Sequence, residues 1–262
     1  MPVELAALTD SFLSIWPHAA LHDTIKYLLA AGTTALALRL APSAWRALRR
    51  LQSRSPRAKD IRRELLFSSL TVLIFSLNGT AIVLGARMGL LKVYRDVESF
   101  GWPYFFASLI ALIVAHDAYF YWTHRLMHSR VLFGFFHRVH HLSLAPSPWA
   151  AYAFAPAEAV VQAAFLPLAL AAFPVHWSAI FLFTVHMIVR NVLGHSGIAI
   201  EPNRLLRGTW PRWFTTTAHH DLHHERGGGN YGLYFAWWDR LMGTEHPEYR
   251  ARLDKVVARE PS

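Results

Sequence analysis

Residues 65–86 read LLFSSLTVLIFSLNGTAIVLGA, a stretch without one charged side chain. A helix that crosses the hydrocarbon core of a bilayer needs about 20 predominantly apolar residues. The stretch therefore sets the fold class: an all-α integral membrane protein. Immediately before it, residues 45–63 carry Arg46, Arg49, Arg50, Arg54, Arg57, Lys59, Arg62 and Arg63, with Asp60 as the sole acid. Loops rich in Lys and Arg stay on the cytoplasmic side, so the chain is expected to leave the cytoplasm through 65–86.

The rest of the chain follows from that orientation. Residues 87–102 form a short outer loop, and 103–122 return, bringing His124 to the cytoplasmic face. Residues 152–173 and 175–193 are two further apolar segments broken by Pro174, expected as a helical hairpin, spanning or partly re-entrant. Residues 27–38 make a shorter span whose flanking Lys26 and Arg39 snorkel to the interfaces. Residues 4–16 are expected as a short amphipathic helix near the interface. Glu4 and Asp10 stand where a Sec-type signal would be basic. The expectation is four or five transmembrane helices, the last two a possible hairpin. With no internal repeat and no low-complexity linker, residues 1–262 read as one domain.

Composition agrees. The chain of 262 residues is 53% hydrophobic and 16% charged, against about 25% charged for soluble domains. The net charge of +9 lies beside apolar runs, which favours anionic lipid headgroups over nucleic acid. With Cys at 0, a disulfide framework, an iron–sulfur cluster and a thiolate zinc site are excluded. The 16 histidines are clustered.

Residues 116–128 read HDAYFYWTHRLMH. His124 and His128 are one turn apart on a helix face, with Asp117 about 20° from His124, and such a pair can converge on one ion. HRVHH at 137–141 and HHDLHH at 219–224 share the HxxHH spacing, which places His137, His140, His141, His220, His223 and His224 on adjoining helix faces. Asn191 and His195 form another i, i+4 pair. His186 lies deeper and reads as a histidine of the bundle. His18, His22, His176 and His246 read as structural or surface residues. Imidazoles without thiolates suit iron, copper or zinc. The clusters offer more ligands than the six or so that one transition-metal ion takes, so two ions are expected. A divalent-metal transporter is the rival reading, but it would line a mid-membrane path with such residues, whereas these lie at helix ends. A mononuclear zinc hydrolase is disfavoured by ligand count.

These boxes, HRLMH at 124–128, HRVHH at 137–141, HSG at 195–197 and HHDLHH at 219–224, resemble those of the fatty acid hydroxylase/sterol desaturase superfamily of membrane di-iron enzymes. GNYGLYF from 229 and WDRLMGT at 238–244 resemble its C-terminal signature, so the likeness runs from about 117 to 244. The resemblance implies that His124, His128, His137, His140, His141, His195, His220, His223 and His224 ligate two irons and serve catalysis. It also implies a four-helix membrane base under a cytoplasmic helical cap. Some members carry a histidine where this chain has Asn191, so one iron keeps a water or an open position, or Asn191 itself ligates. The implied reaction is O2-dependent hydroxylation or desaturation of a lipid C–H bond, with zinc able to replace iron in recombinant protein. No haem-binding domain, GxGxxG or cysteine cluster is present, so electrons are expected from a separate ferredoxin- or cytochrome-type donor. Asp117, Asp221, Glu225, Asp239 and the intramembrane Glu158 are candidates to orient the ligand imidazoles. The aromatic runs 119–122 and 133–136 read as interfacial anchors and core.

Overall fold

The architecture is that of a computed structural model describing residues 2–259, with side chains described from residue 9. In chain order its helices are α1 (Pro2–Leu40), α2 (Ser43–Arg49), α3 (Ala58–Arg87), α4 (Gly101–Met127), α5 (Phe133–Phe136), α6 (Arg138–His141), α7 (Pro156–Ala172) and α8 (Trp177–Gly194). They continue with α9 (Asn203–Arg207), α10 (Trp210–Trp213), α11 (Thr217–Arg226), α12 (Trp237–Leu241) and α13 (Tyr249–Val257). The described strands are β1 (Val93–Tyr94) and β2 (Val175–His176), a parallel pair in the register Val93↔Val175 that ties the outer loop to the α7–α8 turn.

Among the described residues, α3, α4 and α8 are long and apolar enough to cross a membrane. Helix α7 has 17 residues, about 26 Å at 1.5 Å per residue, a little under the bilayer core. The segment expected as 152–173 begins later because residues 148–152 form a 3-10 turn and Pro156 starts the helix, its fixed φ and missing N–H suiting the first turn. The two N-terminal segments read from sequence are one helix of 39 residues that runs through Pro17. Proline there removes a single backbone donor without ending the helix.

Packing follows membrane rules. Leu66, Leu73, Leu77, Phe106, Ile110 and Phe181 point outward and are exposed, which lipid favours and water would not. The inner face of α3 carries Ser68, Val72, Ser76 and Thr80 at four-residue spacing, all buried. Small side chains let backbones approach closely where no hydrophobic effect pulls helices together. Trp16 Nε1 donates to Ser76 Oγ at 3.1 Å, and Ser68 Oγ donates to the Trp149 carbonyl at 2.9 Å.

At one end of these helices lies a cap built on Leu51, Ala199, Leu206, Leu222, Tyr249, Leu253 and Val256. The basic segment is part of it: Arg49 Nε donates to the Ala199 carbonyl at 2.8 Å, and Gln52 Nε2 reaches Asp221 at 3.1 Å. The basic segment and the histidine boxes thus occupy the same end of the bundle.

Replacing Ser76 with Leu should over-pack the α1–α3 contact and cost about 1–3 kcal/mol. Thermal unfolding in detergent would show it as a lowered midpoint, whereas lipid-facing Leu77→Ala should stay within about 0.5 kcal/mol.

Candidate metal centre

Two groups of imidazoles assemble beneath the cap. His124, His128, His137, His141 and His223 form one, and His140, His195, His220 and His224 the other, each with its ligand nitrogens within 4.8 Å of one another. Seven of the nine are buried, and His128 and His141 are half-buried. The HxxHH boxes are divided between the groups. His137 and His141 join the first while His140 turns to the second; His220 and His224 join the second while His223 turns to the first. The i, i+4 pairs His124/His128, His137/His141 and His220/His224 each stay together because their members are 40° apart, and in the HxxHH boxes the histidine between them turns to the other group.

The Nε2 atoms point inward. His124–His137, His128–His223, His128–His141 and His141–His223 are separated by 3.0, 3.2, 3.1 and 3.0 Å. In the second group His195 lies 3.3, 3.0 and 3.1 Å from His140, His220 and His224, and His220–His224 is 3.1 Å.

Four of the Nδ1 atoms are held from outside. His124 Nδ1 faces the Tyr231 carbonyl at 2.9 Å, His223 Nδ1 the Gly229 carbonyl at 2.7 Å and His195 Nδ1 the Asn191 carbonyl at 2.7 Å. A carbonyl only accepts, so these Nδ1 atoms donate and the matching Nε2 atoms present bare lone pairs. His137 Nδ1 meets Glu158 Oε1 at 2.7 Å. Burial, with help from neighbouring imidazoles, lowers His128 to about 2 and His223 and His195 to about 4. Burial likewise holds His137, His140, His141, His220 and His224 well below the ordinary histidine range. All are neutral near pH 7.

Neutral imidazoles aimed lone pair to lone pair at this distance repel unless a cation lies between them. Nitrogens ~2.0–2.1 Å from one ion are roughly 3.0–3.4 Å apart for right-angle to tetrahedral ligation, which matches the spacing seen. The donor set therefore fits a transition metal in each group.

The loop after α11 supplies two of the outer acceptors. It turns through Gly227, Gly228 and Asn230, at φ 63°, 71° and 59°. A Cβ on Gly229 would sit 2.6 Å from the Thr244 carbonyl, and one on Gly232 2.5 Å from that of Phe235. Buried Asp239 pins the loop, accepting from Tyr231 N, Gly232 N and Thr244 Oγ1, each at 2.8 Å. Its partner on the helix side is His219 Nε2 at 3.3 Å. Burial pushes the Asp239 carboxyl up, and His219 with the backbone N–H of Gly232 more than offsets it, leaving it below the usual range.

The remaining candidates fall elsewhere. Asn191 donates its Nδ2 to the Ala151 carbonyl at 2.6 Å, so its side chain is engaged there while its backbone positions His195. Asp117 Oδ1 accepts from Tyr234 N at 2.8 Å, Asp221 faces Gln52 and Arg252, and Glu225 pairs with Arg252. These three brace backbone and cap. His186 packs on Tyr234, with ring centroids 4.7 Å apart. The Gly229 and Tyr231 carbonyls were invisible as acceptors in the sequence, the run GGGNYG being their one trace, whereas the Asn191 carbonyl goes with the i, i+4 spacing already read for Asn191 and His195.

The model of the family described as Fatty acid hydroxylase matches residues 109–244, more than half of the chain and eight residues more than the boxes delimit on the N-terminal side. The chain belongs to this family, within the fatty acid hydroxylase/sterol desaturase superfamily. It is 33% identical to Delta(7)-sterol 5(6)-desaturase erg3C of Aspergillus fumigatus over 60% of this chain and 53% of that protein. It is 30% identical to the lathosterol oxidase of Rattus norvegicus over 72% and 62%, and 28% identical to methylsterol monooxygenase 1 of the same species over 59% and 52%. The matches thus span only between about half and two thirds of these relatives. No solved structure matches the chain.

Glu158→Leu removes the side-chain acceptor of His137 and should weaken metal binding roughly 10–100-fold, read by chelator competition. Glu158→Gln, which still offers an oxygen, should recover most of the loss.

Proposed function

We propose that residues 1–262 form a single membrane domain that holds two iron ions and uses O2 to oxidise a C–H bond of a lipid. The observation that carries this reading is the division of nine imidazole Nε2 atoms into two groups spaced for ligation. His124, His128, His137, His141 and His223 would hold one ion. His140, His195, His220 and His224 would hold the other, with the Asn191 amide engaged by the Ala151 carbonyl instead.

The ions supply the activation of O2 and the attack on an unactivated C–H bond, chemistry beyond any side chain present. The chain does the rest. Glu158 and the carbonyls of Tyr231, Gly229 and Asn191 fix the ring orientations, burial keeps the imidazoles neutral, and the cap excludes bulk water. Hydroxylation joins RH, O2, two electrons and two protons to give ROH and one water; desaturation uses the same inputs and releases two waters. Both need an outside electron source, and a ferredoxin- or cytochrome-type donor fits the basic cap segment. The excess of Arg and Lys in that segment supports a cytoplasmic side for the cap and for both metal groups with it. The substrate belongs to the bilayer: a fatty acyl chain, a sterol or a related lipid. The relatives named as sterol desaturase, lathosterol oxidase and methylsterol monooxygenase support sterol-like chemistry and leave both outcomes, double bond and hydroxyl, within its range.

Elemental analysis of detergent-purified protein should find about two equivalents of iron, or of zinc taken up in its place. His141→Ala and His224→Ala should each leave about one, and the double substitution neither. One equivalent or less in folded wild type after iron reconstitution would overturn the di-iron reading.

Lipid profiling of cells with and without the chain should then show one lipid gaining a hydroxyl or a double bond. The same cells expressing the double histidine variant should match the empty control.

A further inference from the structure

At the cap end of the bundle, the last turns of α1, the segment 46–56, the start of α3 and the turn at 145–149 enclose a half-open cavity of about 410 Å³. That is within the range of roughly 300–1,000 Å³ usual for small-ligand sites. Four arginines line it: Arg39 in the last turn of α1, Arg46 on α2, and Arg50 and Arg54 just after α2. Among the described residues, none of the four pairs with a carboxylate. Their neighbours differ, since Arg57 and Arg63 pair with Asp60 at 3.0 and 3.1 Å. Arg46 Nε is buried without a hydrogen-bond partner, and Arg50 donates to Ser55 Oγ. A buried donor left unmet is costly, so the cavity calls for an acceptor from outside the chain.

The carboxylate of the lining is Asp221, which is buried. Gln52 Nε2 donates to it at 3.1 Å, and Arg252 lies 3.5 Å from its other oxygen. It is answered from the cap side, so the cavity stays strongly positive. Much of the remaining wall is apolar: Ala35 and Leu38 on α1, Ile61 on α3, and Trp149. Leu36 and Leu40 on α1 and Leu65 and Leu66 on α3 are exposed, as lipid-facing side chains are. Helix α3 is long and apolar enough to cross the membrane, and the cavity sits at its beginning. Its mouth therefore lies at the depth of the lipid headgroups.

We propose that this cavity binds the phosphate of an anionic glycerophospholipid, whose acyl chains leave along the apolar faces of α1 and α3. The lipid is a bound component of the protein, distinct from the compound oxidised, and the inference does not rest on the lipid-oxidation reading. Guanidinium forks match phosphate oxygens in shape as well as charge. A headgroup that carries its own cation, such as choline, would bring that cation among four arginines and is rejected by repulsion. The apolar walls favour a lipid over free phosphate, and the recess favours it over carboxylates on the surface of a protein. The site also touches the metal-bearing segments. The turn at 145–149 follows the box that ends at His141, and Ser196 and Gly197, also in the lining, follow His195. A bound lipid thus braces chain that carries members of both imidazole groups.

The test titrates the full-length chain, stripped of lipid in dodecyl maltoside, with phosphatidylglycerol and separately with phosphatidylcholine. Native mass spectrometry counts the adducts. The expected result is a single tight phosphatidylglycerol per chain, held roughly tenfold or more tighter than phosphatidylcholine and not displaced by millimolar inorganic phosphate. Each lost charge-assisted hydrogen bond weakens binding roughly tenfold, so Arg46→Gln combined with Arg54→Gln should lower affinity roughly a hundredfold. Arg54 is exposed, so Arg54→Gln alone keeps the test in hand should the double variant fail to fold; it should lower affinity roughly tenfold with an unchanged melting temperature. Arg62→Gln removes the same charge from an exposed position outside the cavity and should leave affinity unchanged. An equal loss in Arg62→Gln, equal retention of phosphatidylcholine, or release by inorganic phosphate overturns the proposal. So does a folded double variant that keeps its lipid and instead loses capture of a reduced ferredoxin, which would give the arginines to an acidic protein partner.

Discussion

Nine neutral imidazoles facing one another are the constraint on which the structure turns. Each lone pair at about 3 Å from its neighbours is unfavourable by itself, so the protein must both impose the arrangement and compensate it. It imposes the arrangement from behind, through carbonyls and one carboxylate that fix Nδ1 as a donor on four of the rings. Compensation is left to a cation. Burial serves the same end, since a protonated imidazole could not ligate, and the buried site holds the charged form off.

Helical periodicity then solves a partition problem. Two groups of imidazoles close together must each receive separate members from short segments of a single chain. The HxxHH spacing does this without extra elements. Residues four apart share a face and the one between them turns away, so each box contributes to both groups. The two boxes are used in opposite senses, His140 and His223 being the members exchanged. Binding at one group therefore orders the backbone that carries ligands of the other.

Much of this was legible in the sequence. Charge-free 65–86 announced a membrane helix, and the repeated box announced converging imidazoles because spacing alone decides which of them can meet. Glu158 stood out because a carboxylate in an apolar helix needs a partner. What was not legible depended on backbone conformation or distant packing. The carbonyls that orient His124 and His223 belong to residues whose side chains say nothing about them, in a loop shaped by positive φ at Gly227, Gly228 and Asn230. Asn191 had a ligand's spacing, yet the Ala151 carbonyl, forty residues earlier, engages its amide. The helix expected at 4–16 and the span expected at 27–38 belong to one helix running through Pro17, because packing of α1 along the small-residue face of α3 outweighs a single lost hydrogen bond.

The loop pinned by Asp239 also fixes an order of events. His124 closes the first long helix of the histidine region, but the carbonyl that orients it belongs to Tyr231, and that carbonyl is held by a carboxylate eight residues further on. His124 cannot be aligned until the chain as far as Asp239 has been made and has folded against it. Alignment of His124 therefore waits on a residue more than a hundred positions further along the chain. A chain stalled or truncated before Asp239 would insert its membrane helices and still be unable to mature.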